Sequence, residues 1–176
     1  MAPRVLVDAT DVPADRGALG RYVDGLIGAL DVAGADLAVV CQRADEERYG
    51  RLAPHARIVT GPTALSHRSA RLAWEQSGLP VVAQQVNADV IHVPYYSMPL
   101  RPGKPTVVTV HDVTFFTEPE LYSPVSAMFS MMRRRISRNT ISIGTTLTTD
   151  PAISLPMSLL KANWKVVRPS SMLNSD

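Results

Sequence analysis

Five short apolar runs, separated by longer segments of mixed polarity, constrain the fold of this chain more than any other feature. The runs are rich in β-branched residues and read RVLVDA, DLAVVCQ, ARIVTG, ADVIHVP and PTVVTVHD. Strands that stay apolar without alternating are typical of parallel sheets covered on both faces. Between the first two runs, residues 18–34 carry apolar side chains at helical spacing. Strands that alternate with helices predict an α/β fold with a Rossmann-like, doubly wound parallel sheet.

The other segments between the runs predict further helices. Residues 43–54 are polar and predict a short helix with a loop, and residues 64–79 predict a longer helix that ends before Pro80. Residues 80–87 then predict a separate short helix. The pair Ser123 and Pro124 marks the start of another helix that runs to residue 138.

Composition excludes several classes of protein. The 176 residues are 45% hydrophobic and 19% charged, which is typical of a globular domain, and the net charge of +2 gives no reason to expect a nucleic-acid partner. The single cysteine, Cys41, cannot form an internal disulfide. Asp8 and Asp11 come too early for a signal peptide, and no apolar run is long enough to span a membrane. We expect a cytoplasmic protein.

The composition changes near Arg138. The chain before this point is rich in alanine and arginine, whereas the chain after it is rich in serine and threonine and contains no glutamate. We therefore predict one domain over residues 1–138 and an atypical tail over residues 139–176. Within the tail, TISIGTTLTT could form one more strand.

Candidate site residues follow the predicted strands, where sheets of this type place their ligands. Asp8, His92 and His111 all lie at or near predicted carboxyl ends. An imidazole at such an end can hold or move a proton near neutral pH, but a structural histidine that ends a strand is the other interpretation. Asp112 follows directly, and neighbouring strand residues point to opposite faces, so we do not expect it to pair with His111.

The segment after the first strand, DATDVPADRGALGRY, combines glycines with a predicted helix start. Gly17 and Gly20 would let the backbone approach a ligand, and the helix N-terminus would offer N–H groups to an anion. The spacing is not the dinucleotide fingerprint G-x-G-x-x-G. A turn glycine followed by a packing glycine explains the spacing equally well.

Other motifs are weaker. Tyr95 and Tyr96, in HVPYYSMP, suit stacking on a sugar ring or a base, or packing on the rim of the sheet. No close histidine and cysteine spacing supports a metal site. The segment MFSMMRRRISR either contacts an anionic membrane surface, as in a peripheral protein at the inner membrane face, or forms a core-facing helix with a basic end.

Four stretches together resemble the N-terminal half of family 4 glycosyltransferases, which are retaining enzymes of the GT-B fold. They are VLVDATDVPADRGALGRYVDGLIGAL, RLAWEQSGLP, ADVIHVPYYSMPL and KPTVVTVHDVTFFTEPELYSP, in the order usual for the family. The resemblance covers about residues 4–135. It implies a hexosyl-type transfer from a nucleotide-sugar donor to an acceptor that remains unknown, without a metal or other cofactor.

The resemblance also assigns roles to residues. His111 matches an active-site histidine that contacts the transferred sugar. The glycine loop, here Gly17, Ala18 and Gly20, matches the segment that faces the donor diphosphate and sugar, although the family more often has glycine where Ala18 stands. On the acceptor side or in the cleft, the residues are Asp8, Arg21, Tyr95, Tyr96 and Asp112.

The resemblance ends in the tail. Members of the family continue with a second, donor-binding domain, and the tail lacks the paired glutamates of that domain. We therefore expect the acceptor-side half of a truncated or rearranged glycosyltransferase, which needs a C-terminal donor domain as a partner. The alternative is a catalytically inert domain that binds sugars or nucleotides. A third reading, an unrelated binding module with this fold, is disfavoured by the four ordered stretches.

Overall fold

The computed structural model describes residues 2–95, 97–111 and 140–144. Strands and helices alternate along this part of the chain, as the apolar runs predicted. The strands are β1 (Val5–Asp8), β2 (Leu37–Cys41), β3 (Arg57–Thr60), β4 (Val90–Val93), β5 (Thr106–Val110) and β6 (Thr140–Gly144). The α-helices are α1 (Gly17–Val32), α2 (Glu46–Leu52) and α3 (Arg68–Gln85), and two short 3₁₀ helices cover Arg43–Asp45 and Thr63–Ser66.

The strands form one parallel sheet in the order β3-β2-β1-β4-β5-β6. Strands β2 and β3 therefore lie on one side of β1, and β4, β5 and β6 lie on its other side. The strand order reverses between β1 and β4, where Val7 pairs with His92. Open sheets of this kind bind ligands outside the carboxyl ends of the strands at such a reversal point. The predicted Rossmann-like fold is confirmed.

Side chains of the central strands alternate between two cores, one on each face of the sheet. Leu6 of β1 and Val40 of β2 pack with α3, whereas Val7 and Val39 pack with α1 and α2. All five residues of β2 are buried. Burial on both faces explains why the strands read as continuous apolar runs.

Helix α3 differs from the prediction at Pro80. The chain forms one helix from Arg68 to Gln85 with Pro80 inside it, rather than two helices that meet there. Proline removes a backbone hydrogen bond and disfavours the helix. Leu79, Ala83 and Val86 are nevertheless buried on one side of this segment against the sheet. Burial of these side chains outweighs the local preference of proline, and the prediction of a helix end was wrong.

The tail contributes at least one strand to the sheet. Residues 140–144 pair in parallel with β5, with Thr140 opposite Thr106 and Gly144 opposite Val110. The first five residues of the strand suggested by TISIGTTLTT are therefore in a strand, and its last five residues lie outside the described residues. The helix expected over residues 123–138 lies outside the described residues, and the boundary at residue 138 stays a prediction.

Candidate functional site

A tight cleft, with almost no free space for a water molecule, lies at the reversal point of the sheet, between the segment after β1 and the segment after β4. Both segments contribute to its walls, together with the first two turns of α1. Its lining residues are Asp8, Asp11, Val12, Leu19, Val23, Val93, Pro94 and Tyr95. The fold thus brings two of the predicted acceptor-side residues, Asp8 and Tyr95, into one cleft.

His111 lies directly after β5 and is held by the neighbouring segment. Its Nε2 atom lies 2.9 Å from the backbone oxygen of Pro94. A carbonyl oxygen only accepts, so Nε2 carries the hydrogen in this contact. The ring of Tyr22 on α1 meets the imidazole edge to face, with ring centroids 4.7 Å apart. His111 is therefore fixed between the segment after β4 and the second turn of α1.

A second contact of Tyr22 continues into the sheet. The Tyr22 hydroxyl lies 3.2 Å from Oγ1 of Thr109, and Nε2 of His92 lies 2.9 Å from the same oxygen. Burial lowers the pKa of His92. His92 thus lies half-buried inside β4 and contacts Thr109. Thr109 in turn contacts Tyr22, the residue that packs against His111.

The start of α1 has an unusual backbone. Arg16 and Gly17 both have positive φ angles, of 61° and 46°. A Cβ atom at Gly17 would meet nothing within 4 Å, whereas one at Gly20 would lie 2.6 Å from Cβ of Arg16. Gly17 is thus exposed at the helix start, where a ligand could approach the backbone, and Gly20 is required by close packing of the turn. Ala18 is exposed beside Gly17.

No side chain of the described residues caps the N-terminus of α1 by a hydrogen bond. The first N–H groups of a helix have no partner within the helix and favour an anion. The Gly17 N–H donates to the Asp15 carbonyl at 2.7 Å, so the N–H groups of Ala18 and Leu19 are the ones at this helix start that suit a phosphate group. The role of this helix start in donor binding stays a prediction.

Arg16, which the sequence did not point to, anchors this turn to the body of the domain. Its guanidinium binds Asp24 on α1, the Asp45 carboxylate at 2.7 Å and the Tyr49 hydroxyl at 3.0 Å. The guanidinium also lies over the Tyr49 ring, 5.6 Å from its centroid. These partners are 8 to 33 residues away along the chain, so no local pattern signals them.

Asp8 is 4% exposed at the end of β1. Its Oδ1 accepts hydrogen bonds from the Thr10 N–H at 2.9 Å and the Thr10 hydroxyl at 2.7 Å. Burial and the nearby Asp11 charge raise the pKa of Asp8 to about 7. Asp11 itself pairs with Arg71 of α3 at 3.1 Å. The cleft floor therefore holds a carboxyl group that changes charge near neutral pH.

Glu75 is a second buried carboxyl that the sequence did not assign. It is 4% exposed on α3 and accepts a hydrogen bond from the Ser97 hydroxyl. Burial, with the charges of Asp8 and Asp11, raises the pKa of Glu75 to about 7. In the sequence, Glu75 belongs to the motif WEQ, which contributed to the family resemblance but did not indicate a role for Glu75.

The remaining predicted site residues are less constrained. Arg21 is exposed on α1, and Tyr95 is partly exposed in the cleft wall. Tyr96 and Asp112 lie outside the described residues. The expectation for these residues, as for His111 and the glycine loop, stays a prediction.

No group of three histidine, cysteine, aspartate or glutamate side chains within ranges 2–95 and 97–111 is placed to hold a metal ion. None of the helices described above is both long enough and apolar enough to cross a membrane.

Comparisons with known proteins give one informative match. No curated protein matches the chain. One solved structure that matches is a universal stress protein in complex with cAMP, with 15% identity, coverage of 85% of this chain and all of the other, and a TM-score of 0.37. The family model described as Glycosyltransferase Family 4 matches residues 19–146, which include α1 from its third residue onward, the segment after β4 and His111, whereas Asp8, Gly17 and Ala18 precede the matched range. The chain therefore belongs to glycosyltransferase family 4, through the N-terminal domain of that family.

Proposed function

We propose that this chain is the acceptor-side domain of a retaining glycosyltransferase that transfers a sugar from a nucleotide-sugar donor. The observation that carries the proposal is the placement of His111. The imidazole follows β5 at the carboxyl edge of the sheet, bonds to the Pro94 carbonyl and packs against Tyr22 of α1. An imidazole fixed beside the helix that begins at Gly17 can meet a donor whose diphosphate lies at that helix.

In this proposal the start of α1 receives the donor diphosphate. The leaving diphosphate gains negative charge as the bond to the sugar breaks, and preorganised N–H groups stabilise that charge. Gly17 is exposed and leaves space for the phosphate oxygens. No metal ion is needed for this role, because the helix N-terminus and the donor domain would supply the positive potential.

His111 would hold the transferred sugar. Positioning a reactant in the correct orientation lowers the barrier without a covalent step. The contact of Nε2 with Pro94 fixes the plane of the ring, and the Tyr22 edge contact limits its rotation. A sugar hydroxyl group bound by this fixed imidazole would be held at a constant angle to the cleft.

The acceptor would lie against the mouth of the cleft between the segments after β1 and β4, since the cleft itself has almost no free space. Tyr95 offers an aromatic face of the kind that packs on sugar rings. Asp8, Arg21, Tyr96 and Asp112 are the further residues that we propose for this side. The donor domain would come from a second chain or from further sequence, since the resemblance covers one domain of the two in the GT-B fold.

The experiment follows release of free nucleotide from a panel of nucleotide sugars. The purified chain is incubated alone and together with a separately expressed family 4 donor domain, with a mixture of sugar acceptors. We expect nucleotide release only in the combined sample. Absence of release from every donor in both samples would contradict the proposal and favour an inert binding domain, whose donor affinity calorimetry would then measure.

A further inference from the structure

Two adjacent side chains on α3 hold the segment that follows β4. This segment, residues 94–100, is called the 94–100 loop below. The carboxylate of Glu75 accepts a hydrogen bond from the Ser97 hydroxyl. The side chain of Gln76 donates to the Met98 carbonyl at 3.3 Å and accepts from the Leu100 N–H at 2.8 Å. The two residues also bind each other, since the Gln76 amide donates to Glu75 at 2.8 Å.

The same loop is attached at its other end to the candidate catalytic residue. Pro94, its first residue, accepts the hydrogen bond from His111. Tyr95 lies next to Pro94 and lines the cleft. The loop is therefore held by His111 at its start and by the Glu75–Gln76 pair at its end, with Tyr95 directly after the first attachment.

The burial of Glu75 indicates that the pair is more than a surface contact. A carboxyl group that is 4% exposed loses most of its hydration. Buried polar groups are tolerated when they are hydrogen-bonded, and Glu75 has two partners, Ser97 and Gln76. Ser97 and Met98 are themselves buried, so the loop packs onto α3 rather than extending into solvent.

We propose that Glu75 and Gln76 are positioning residues of this enzyme, which fix the 94–100 loop so that Tyr95 forms the acceptor wall and Pro94 orients His111. Neither residue needs to touch a substrate for this role. The consequence for acceptor binding rests on the function proposed above, whereas the consequence for the loop and for His111 does not.

The first test compares Gln76→Ala with Gln84→Ala in the full chain. Gln84 is exposed on the same helix, about two turns beyond Gln76 and one residue before the helix end at Gln85. Hydrogen exchange of the peptide that covers the loop is measured by mass spectrometry. We expect Q76A to exchange about tenfold faster within the loop, the effect of losing hydrogen bonds worth about 1.4 kcal/mol, and Q84A to match the wild type.

The second measurement reports on His111 directly. Nitrogen-15 NMR of the imidazole distinguishes a hydrogen on Nε2 from one on Nδ1, and we expect Nε2–H in the wild type because of Pro94. Q76A should increase the fraction with the hydrogen on Nδ1, since the loop that begins at Pro94 loses its attachments at Met98 and Leu100. Glu75→Ala should act in the same way, whereas Glu75→Gln, which keeps an oxygen that accepts from Ser97, should restore the wild-type signal.

The outcomes separate the two proposals. A folded Q76A protein with unchanged exchange and an unchanged His111 signal would overturn the positioning role, whether or not sugar transfer is observed. Should Q76A lose its fold, Gln76→Glu takes its place. This variant keeps an oxygen that accepts from the Leu100 N–H but loses the group that donates to the Met98 carbonyl. We expect it to show the same faster exchange in the loop and the same change in the His111 signal. In the assembled enzyme, we expect Q76A to raise the acceptor KM about tenfold and also to lower kcat, because His111 holds the transferred sugar in the proposed function. Absence of transfer in the wild type as well would count against the proposed function alone.

Discussion

The ring of Tyr22 meets the imidazole of His111 at an angle of 83° between their planes, with centroids 4.7 Å apart. One residue belongs to the helix that begins at Gly17, and the other follows the fifth strand. An edge-to-face pair of this kind is a favourable arrangement for aromatic rings. The contact therefore joins the two parts of the chain that the proposed reaction needs to hold together.

The Tyr22 contact predicts different effects for two substitutions. Tyr22→Phe keeps the ring against His111 and loses the hydroxyl contact with Thr109, so it should cost about 1 kcal/mol of unfolding free energy. Tyr22→Ala also removes the ring and should cost about 2–4 kcal/mol. Urea denaturation of the two variants and the wild type measures the difference. An equal loss in both variants would mean that the ring contact contributes nothing.

His111 should be required for sugar transfer and not for folding. In the enzyme assembled with a donor domain, we expect His111→Ala to lower kcat roughly 100-fold, the effect of one removed catalytic group. The matched control is His55→Ala, since His55 is exposed just before β3, at the opposite edge of the sheet, and bonds to Asp31. Steady-state kinetics of both variants checks the prediction. Equal activity of H111A and the wild type would reduce His111 to a structural residue.

The glycines of α1 should respond differently to the same substitution. Gly20→Ala should destabilise the chain by about 1–3 kcal/mol, because the added Cβ would lie 2.6 Å from Arg16. Gly17→Ala meets open space, and its positive φ should cost about 1 kcal/mol. Gly25→Ala is the control, since its Cβ is unobstructed in the exposed middle of the helix and should add about 0.5–1 kcal/mol of stability.

Thermal and urea unfolding of the three glycine variants tests this order. If G20A is as stable as G25A, then the turn at Arg16 adjusts freely and the packing explanation is wrong. If G17A costs more than G20A, the backbone conformation at Gly17 is more tightly constrained than its open surroundings indicate.

Asp8 should make stability depend on pH. Its pKa is raised to about 7 in the folded chain, while the unfolded chain has the ordinary value of 3.8. Between these values the folded state binds more protons than the unfolded state, so this group lowers stability as pH rises from about 4 to 7. Asp8→Asn keeps the oxygen that accepts from Thr10 and removes the charge.

We therefore expect D8N to match the wild type near pH 4 and to be more stable at pH 8, by more than about 1 kcal/mol, the equivalent of one pKa unit. The free energy of unfolding at both pH values provides the measurement. The difference between D8N and the wild type at each pH cancels the contribution that most other titratable groups make to the pH dependence of stability. A constant difference between pH 4 and pH 8 would show that Asp8 keeps an ordinary pKa.

Much of the fold is readable from local patterns. Strands β1 to β5 follow the apolar runs, because a parallel sheet buries both faces and leaves few polar positions within the strands. Helix α3 shows the limit of local rules, since Pro80 signals an end that the chain does not make. The deciding factor there is the burial of Leu79 and Ala83 against the sheet.

The candidate site was likewise predictable only in part from local sequence patterns. A histidine that directly follows an apolar run and a glycine that directly precedes a helical pattern are local signals, so His111 and Gly17 could be named as candidates from short segments and from the family resemblance. The partners of Arg16 and Glu75 were not, because they lie up to 33 and 22 residues away along the chain. Contacts over such distances depend on how helices and strands pack, and no short segment encodes them. Sequence patterns specified the elements and their order, whereas packing alone decided that Gly20 fills a turn, that Glu75 is buried and that His111 rests between Pro94 and Tyr22.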